Sequence, residues 1–331
     1  MPQPVPATPE NIARAAEILR AGGLVAFPTE TVYGLGADAS DPAAAARIFA
    51  AKGRPSFDPL IVHVPDAATA FGLWSEIPPA AEALARRFWP GPLTLVLPKR
   101  EAVPDIVTSG LPTAAVRVPA HPVAAALLRA AGVPVAAPSA NRFSRPSPTD
   151  AAAVEAELGG AVDLILDGGP TTVGVESTVV GFPDGRPTVL RPGGVTLEQL
   201  RELVPGMAVL PRGGRSGLAS PGLLDKHYAP ATPMRLLPTA EVPDPPAGLR
   251  AGLLCLTGPA NADRFSAVEE LSAAGDLTQA AARLFAAIRR LDAAGLDLIF
   301  AAPVPEAGLG LAIMDRLRRA STAGGGAADR V

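Results

Sequence analysis

Four short segments of this 331-residue chain group side chains suited to holding an anion or a small polar molecule. Lys52-Gly53-Arg54 sets an ammonium point charge beside a planar guanidinium fork, a pairing that can clamp phosphates. Taken alone, the commoner explanation is a helix end, where cations complement the dipole and glycine terminates the turn. Ser139-Ala140-Asn141-Arg142, followed by Ser147-Pro148-Thr149, places hydroxyl, amide and guanidinium groups just after an apolar run. That suits a nucleotide, and equally a loop of Asx and Ser turns that caps the next helix. The third segment combines Glu176-Ser177-Thr178 with Leu190-Arg191-Pro192-Gly193, and Arg191 by itself reads as a surface cation. The fourth, His227-Tyr228-Ala229-Pro230, puts aromatic rings in a stretch with no core of its own to join.

A fifth stretch organises the others. Phe27-Pro28-Thr29-Glu30-Thr31-Val32-Tyr33-Gly34-Leu35-Gly36 leaves a buried apolar run and delivers hydroxyls, a carboxylate and two glycines where that strand ends. The carboxyl ends of strands are where open α/β sheets bind ligands. The two glycines are expected to let the backbone turn closely beside the site. Other chemistries lack their residues. The chain has no Gly-x-x-x-x-Gly-Lys-Ser/Thr loop, no Gly-x-Ser-x-Gly elbow and no metal-spaced His/Cys cluster. Three histidines and the single Cys255 leave little for covalent catalysis, a disulfide or a cysteine-built zinc site.

The elements that must position these groups follow from periodicity and punctuation. Residues 11–21 read as an amphipathic helix, and Ser40-Asp41-Pro42-Ala43 caps a second one that runs through Lys52. Further helices are expected at 79–89, 121–131 and 150–158, and strands at 23–27, 60–64, 93–97, 114–118, 133–137, 162–166, 178–181 and 188–190. Their irregular alternation predicts a mixed sheet. From residue 205 to about 233 glycine, serine and proline dominate, as in a linker. Strands at 252–256 and 296–301 with helices at 277–294 and 310–320 then predict a small α/β unit, and residues 323–331 a disordered tail. The domains expected are therefore 1–206 for catalysis, 207–232 as linker or lid, and 233–331.

Composition narrows the function. The net charge is −3, with 16 Lys/Arg against 20 Asp/Glu in residues 1–206 and 10 against 11 in 233–331. Neither part has the basic excess of a dedicated nucleic-acid binder. No apolar run reaches the roughly 18 residues of a membrane span. Met1-Pro2-Gln3-Pro4 has no secretory character, so the cytoplasm is the expected location. Only Lys52, Lys99 and Lys226 stand against an otherwise arginine-rich cation set.

In this order the segments resemble the threonylcarbamoyl-AMP synthases in their longer, two-domain form. The resemblance also draws on Pro55, Pro59-Leu60-Ile61-Val62-His63, Arg117-Val118-Pro119, Pro138 and Ile313-Met314-Asp315-Arg316-Leu317. It implies a twisted, open mixed sheet (YrdC-like) as N-terminal domain, joined by a long linker to a smaller Rossmann-like α/β domain. It implies condensation of L-threonine, bicarbonate and ATP to L-threonylcarbamoyl-AMP with release of pyrophosphate. The product would pass to a tRNA threonylcarbamoyl transferase machinery, with at most a weak RNA contact and none with membrane. By motif, L-threonine would meet Thr31, His63, Arg117, Ala137 and Ser177. ATP would meet Lys52, Arg54, Asp58, Thr113, Ser139, Asn141, Ser147, Arg191 and Tyr228, with Lys52 and Arg54 the catalytic pair. Mg²⁺ would arrive with ATP, with no metal ligand assigned to the protein.

The sequence departs from the family pattern twice. Asp58 stands where asparagine is more common, and Ser144 where glycine often stands, which bears on the loop path after Asn141. The segment at His227–Pro230 is further expected to close over the nucleotide. Two competing functions are an RNA-binding or maturation factor without chemistry, and carbamoyl transfer to another acceptor.

Overall fold

The computed structural model describes residues 3–211 and 227–321. Contacts divide the chain into two compact units. The first comprises Met1–Phe143, Pro148–Thr172 and Glu176–Leu223; the second comprises Ser144–Ser147, Val173–Val175 and Leu224–Val331. The core of the expected linker, residues 212–226, and the expected disordered tail, residues 323–331, lie outside the described residues.

The first unit begins with β1 (Val5–Pro6), α1 (Pro9–Arg20), β2 (Val25–Pro28) and β3 (Tyr33–Asp38). It continues with α2 (Pro42–Lys52), β4 (Ile61–His63), α3 (Ala67–Gly72), α4 (Pro79–Phe88) and β5 (Leu93–Pro98). Next come α5 (Asp105–Thr108), β6 (Thr113–Arg117), α6 (Pro122–Ala131), β7 (Val135–Ala136), α7 (Ala151–Leu158) and β8 (Leu164–Asp167). β9 (Thr178–Gly181), β10 (Thr188–Arg191), α8 (Leu197–Leu203) and β11 (Ala208–Val209) complete it. The helix starts are chemically explicit: Thr8, Asp41, Asp66, Asp150 and Thr196 each accept a backbone N–H of the first turn, satisfying a donor no helical carbonyl can reach. Gly53 ends α2 at φ 60°, the left-handed cap expected of glycine.

Among the described residues these strands form one mixed sheet in the order β1-β8-β2-β3-β7-β4-β6-β5-β9-β10-β11. Antiparallel pairs such as β2–β3 and β5–β6 alternate with parallel pairs such as β4–β6 and β5–β9. Period-2 alternation sends one set of side chains into the main core, including Val62, Val116, Leu95 and Val180. The other set differs along the sheet. Near β2 it packs on α1 and α6 through Phe27, Leu19 and Leu127. Across β4, β6, β5, β9 and β10 it forms a cluster of Ile61, Ala115, Val96, Val179 and Leu190, to which no helix contributes a member.

The second unit contains β12 (Met234–Leu236), β13 (Ala251–Cys255), β14 (Ala267–Glu270), α9 (Leu277–Ala293), β15 (Leu298–Ala301) and α10 (Gly310–Ser321). Its strands are all parallel, in the order β12-β15-β13-β14.

Two expectations need correction. Residues 33–38 are a strand, β3, hairpinned against β2, rather than part of a polar turn. Gly34 and Gly36 lie in that strand, and a Cβ at Gly36 would come within 2.8 Å of the Phe27 ring and 2.9 Å of Val135. These glycines serve close packing, not turning. Tyr228 also has a core to join. It is 1 % exposed, its ring lies 5.4 Å from that of Phe285, and the Arg316 guanidinium sits 5.3 Å above it. The aromatic residue therefore does not require closure over a ligand to be buried.

Candidate active site

Sheet register assembles the first cluster. His63 at the end of β4 is the cross-strand partner of Arg117 at the end of β6, and Arg117 is that of Thr94 on β5. Side chains in register on adjacent strands share a face. His63, Arg117 and Thr94 are two residues from Ile61, Ala115 and Val96 respectively, so they lie on the same face as that cluster. Ser177, two residues before Val179, joins them: its Oγ is 2.7 Å from Thr94 Oγ1. Ala137 follows β7, and its N–H donates to the Ile61 carbonyl at 2.9 Å.

Arg117 is the hub. It is 3 % exposed, and its Nε donates to the Gly91 carbonyl at 3.2 Å while Nη1 donates to Thr31 Oγ1 at 2.8 Å. Its Nη2 lies 2.7 Å from Glu30 Oε1, a buried ion pair. Thr31 sits in the β2–β3 turn, 2.8 Å from Thr29 Oγ1. Thr29 spends its own proton on the Val32 carbonyl at 2.7 Å, so Thr31 donates to Thr29 and accepts from Arg117. His63 is held neutral: burial, and then the charge of Arg117, push its pKa down to about 3. Its Nδ1 is 3.3 Å from the Ile61 carbonyl, which assigns the proton to Nδ1 and leaves Nε2 as an acceptor.

The second cluster gathers expected ATP contacts by a different route. Lys52, in the last turn of α2, is 3 % exposed. Its Nζ donates to the Ser139 carbonyl and, at 2.5 Å, to the Asn141 carbonyl. Two of the three ammonium donors are thus used in shaping the Ser139–Asn141 loop. Burial, and next the nearby Arg54 charge, push the Lys52 pKa well below the ordinary lysine range. Arg54 donates from Nε to the Asp58 carbonyl at 3.0 Å and from Nη2 to the Pro59 carbonyl at 2.8 Å. It also pairs with the Asp58 carboxylate at 2.9 Å, both side chains being almost fully buried. Asp58 accordingly balances the Arg54 charge, which gives the departure from asparagine a physical role.

Other expected contacts are placed less directly. Arg191 joins Ser177, its Nη2 donating to the Ser177 carbonyl at 3.0 Å. Thr113, at the start of β6, is buried, and among the described residues its Oγ1 has no hydrogen-bond partner. Ser147 and Tyr228 belong to the second unit, and both are buried. Ser144, where glycine was the expected residue, adopts φ 65°, a conformation glycine takes without strain. The loop keeps the backbone path that glycine favours, despite the serine.

Sequence reasoning left Glu30 and Thr94 without roles. Glu30 lay inside the quoted stretch but had no visible partner. Thr94 carried a usable signal, as the one polar residue in the run Leu93-Thr94-Leu95-Val96-Leu97. Among the described residues no group of three His, Cys, Asp or Glu is arranged to hold a metal ion. No helix there is long and apolar enough to cross a membrane.

Comparison with known proteins adds independent findings. The family described as telomere recombination matches residues 17–193, and the threonylcarbamoyl-AMP synthase C-terminal domain matches residues 195–322. The threonylcarbamoyl-AMP synthase of Pyrococcus abyssi is 45% identical over 326 residues, 94% of each chain. That of Bacillus subtilis is 44% identical over 328 residues, 94% of this chain and 93% of the relative. The crystal structure of P. abyssi Sua5 complexed with L-threonine matches with a TM-score of 0.88 at 42% identity, covering 95% of each chain.

Proposed function

The chain belongs to the threonylcarbamoyl-AMP synthase family, and from that premise we infer how it condenses L-threonine, bicarbonate and ATP into L-threonylcarbamoyl-AMP with release of pyrophosphate. The product supplies the threonylcarbamoyl group for tRNA modification. In our reading Thr31, His63, Arg117, Ala137 and Ser177 bind L-threonine, the Arg117 guanidinium taking the carboxylate. The observation that carries this is Arg117, fixed through its nitrogens among Thr31, Glu30 and Gly91 in register with neutral His63. A site lined with preset hydroxyls and a neutral imidazole can bond the threonine side-chain hydroxyl and reject amino acids without one.

The chemistry needs no protein nucleophile. The threonine ammonium first gives up one proton; the free amine then attacks the bicarbonate carbon, and a second amine proton leaves with the bicarbonate hydroxyl as water to give a carbamate. A carbamate oxygen then attacks the α-phosphorus, and the bond to the bridging oxygen breaks as pyrophosphate leaves. Lys52, Arg54, Asp58, Thr113, Ser139, Asn141 and Arg191 are the proposed ATP contacts of the first unit, and for Ser147 and Tyr228 the same reading rests on the family motifs alone. The third N–H of Lys52 is assigned to a phosphate oxygen, and Arg54 shapes the neighbouring loop while adding positive potential. Catalysis is then positioning plus stabilisation of phosphate charge. Mg²⁺ enters as part of the substrate Mg·ATP, where it neutralises phosphate charge; the Asp58 carboxylate is committed to Arg54, so no protein ligand is assigned. We place the enzyme in the cytoplasm, supplying a tRNA threonylcarbamoyl transferase machinery.

Omission of single substrates tests the reading. Pyrophosphate appears only with L-threonine, bicarbonate and ATP together, and mass analysis identifies threonylcarbamoyl-AMP. Equal release with L-serine, or release without bicarbonate, overturns it.

A further inference from the structure

We propose that Glu30 is a specificity residue that makes the amino-acid pocket demand the substrate's ammonium group; this rests on the reading that the pocket binds L-threonine. Glu30 is 8 % exposed, and its Oε2 accepts from the Ala120 N–H at 3.1 Å, just before α6. Its Oε1 lies 2.7 Å from Arg117 Nη2, yet neither atom makes an aligned hydrogen bond. The pair is a charge contact with unspent hydrogen-bonding capacity on both sides. Glu30 sits beside Thr31, because both side chains meet the same Arg117 guanidinium.

Charge counting gives the consequence. Arg117 contributes one positive charge and Glu30 one negative charge. His63 is neutral, and burial also depresses His121, whose ring feels the Glu30 carboxylate. The remaining members of the proposed pocket, Thr31, Ala137 and Ser177, carry no charge. The Arg191 guanidinium bonded to the Ser177 carbonyl is counted with the proposed ATP contacts, so the Arg117–Glu30 pair is itself neutral before any ligand arrives. A zwitterion keeps it neutral: its carboxylate meets the donors of Arg117, and its ammonium offsets the carboxylate of Glu30. A ligand with the same carboxylate and β-hydroxyl but no ammonium would bury a second negative charge beside Glu30. Such an uncompensated buried charge is strongly disfavoured. Without Glu30 the free Arg117 would welcome that anion instead. Glu30 thus acts against the wrong ligand as much as for the right one.

The test compares L-threonine with (R)-3-hydroxybutyrate, its analogue lacking the amino group, by calorimetric titration of the full chain. The unaltered protein is expected to prefer L-threonine strongly. Glu30→Gln, similar in shape but uncharged, is expected to weaken L-threonine about tenfold or more while (R)-3-hydroxybutyrate binds as well or better. Glu30→Asp, which keeps the charge, retains the preference for L-threonine. Thermal melting reports folding of each variant. A preference unchanged in Glu30→Gln overturns the proposal, and so does a parallel loss of both ligands, the mark of a residue that only positions Arg117. If Glu30→Gln does not fold, the unaltered protein decides: equal affinity for both ligands refutes the proposal, and retained preference in Glu30→Asp supports it. Failure of the unaltered protein to bind L-threonine at all instead overturns the functional reading beneath it.

Discussion

The two clusters of the first unit hold buried basic side chains in different ways. Around Arg117 the partners include side chains, Thr31 and Glu30, carried by a turn and brought together by strand register. Around Lys52 and Arg54 the partners include backbone carbonyls of Ser139, Asn141, Asp58 and Pro59, with the Asp58 carboxylate pairing Arg54. Side-chain partners tune a pocket's charge and donor pattern, as selecting one amino acid requires. Carbonyl partners fix loop shape, as aligning a flexible triphosphate requires. In the proposed reading the same cation chemistry serves recognition in one place and architecture in the other.

Breaking the architectural side should cost folding. Arg54→Ala leaves the buried Asp58 carboxylate without its cation, and unfolding should become easier by about 3–5 kcal/mol. Denaturant melts measure this, and Asp58→Asn in the same chain should recover part of it. Equal stability of Arg54→Ala and the unaltered chain would mean that the pair does not hold the loop. Lys52→Ala should act mainly on chemistry, lowering turnover by about 10²–10³-fold, the usual loss for one transition-state donor. Pyrophosphate release at saturating substrates reads it, and full activity removes the phosphate assignment.

On the recognition side effects should be selective. Thr31→Val removes the acceptor of a charged hydrogen bond, and KM for L-threonine should rise about tenfold to a hundredfold with little change in KM for ATP. Equal shifts in both constants would erase the distinction between the clusters. The smallest expected effect is in stability against pH. His63 has a pKa near 3 when folded and about 6.5 when unfolded, so below 6.5 the unfolded chain binds the extra proton. Stability from this residue is present above pH 6.5 and lost as pH falls, by about 2 kcal/mol between pH 7 and pH 5. His63→Asn should show a shallower acid decline in thermal melts, and an unchanged slope would assign the loss to other groups.

Much of the fold could be read from local signals because each depends on neighbours in sequence. The helix ending at Lys52 followed from Asp41-Pro42 at one end and Gly53 at the other, and it forms at Pro42–Lys52. The strands β4, β5 and β6 followed from short β-branched or apolar runs. β3 did not, because Tyr33-Gly34-Leu35-Gly36 has low strand propensity and is held by packing between β2 and β7. For the site, residue types and motif order supplied candidate threonine and ATP groups, while the partners of each side chain could not be read from them.

What the sequence determined by itself is the inventory: hydroxyls after the first strand, Lys52 and Arg54 at a helix end, Arg117 ending a strand, and the family they resemble together. What only the tertiary structure decided is partnership. Glu30 meets Arg117 across 87 residues of chain, Thr94 meets Ser177 across 83, and Lys52 reaches carbonyls 87 and 89 residues away. Buried electrostatics fall off over a few ångströms, so charge balance and donor geometry depend on neighbours in space that no local pattern encodes.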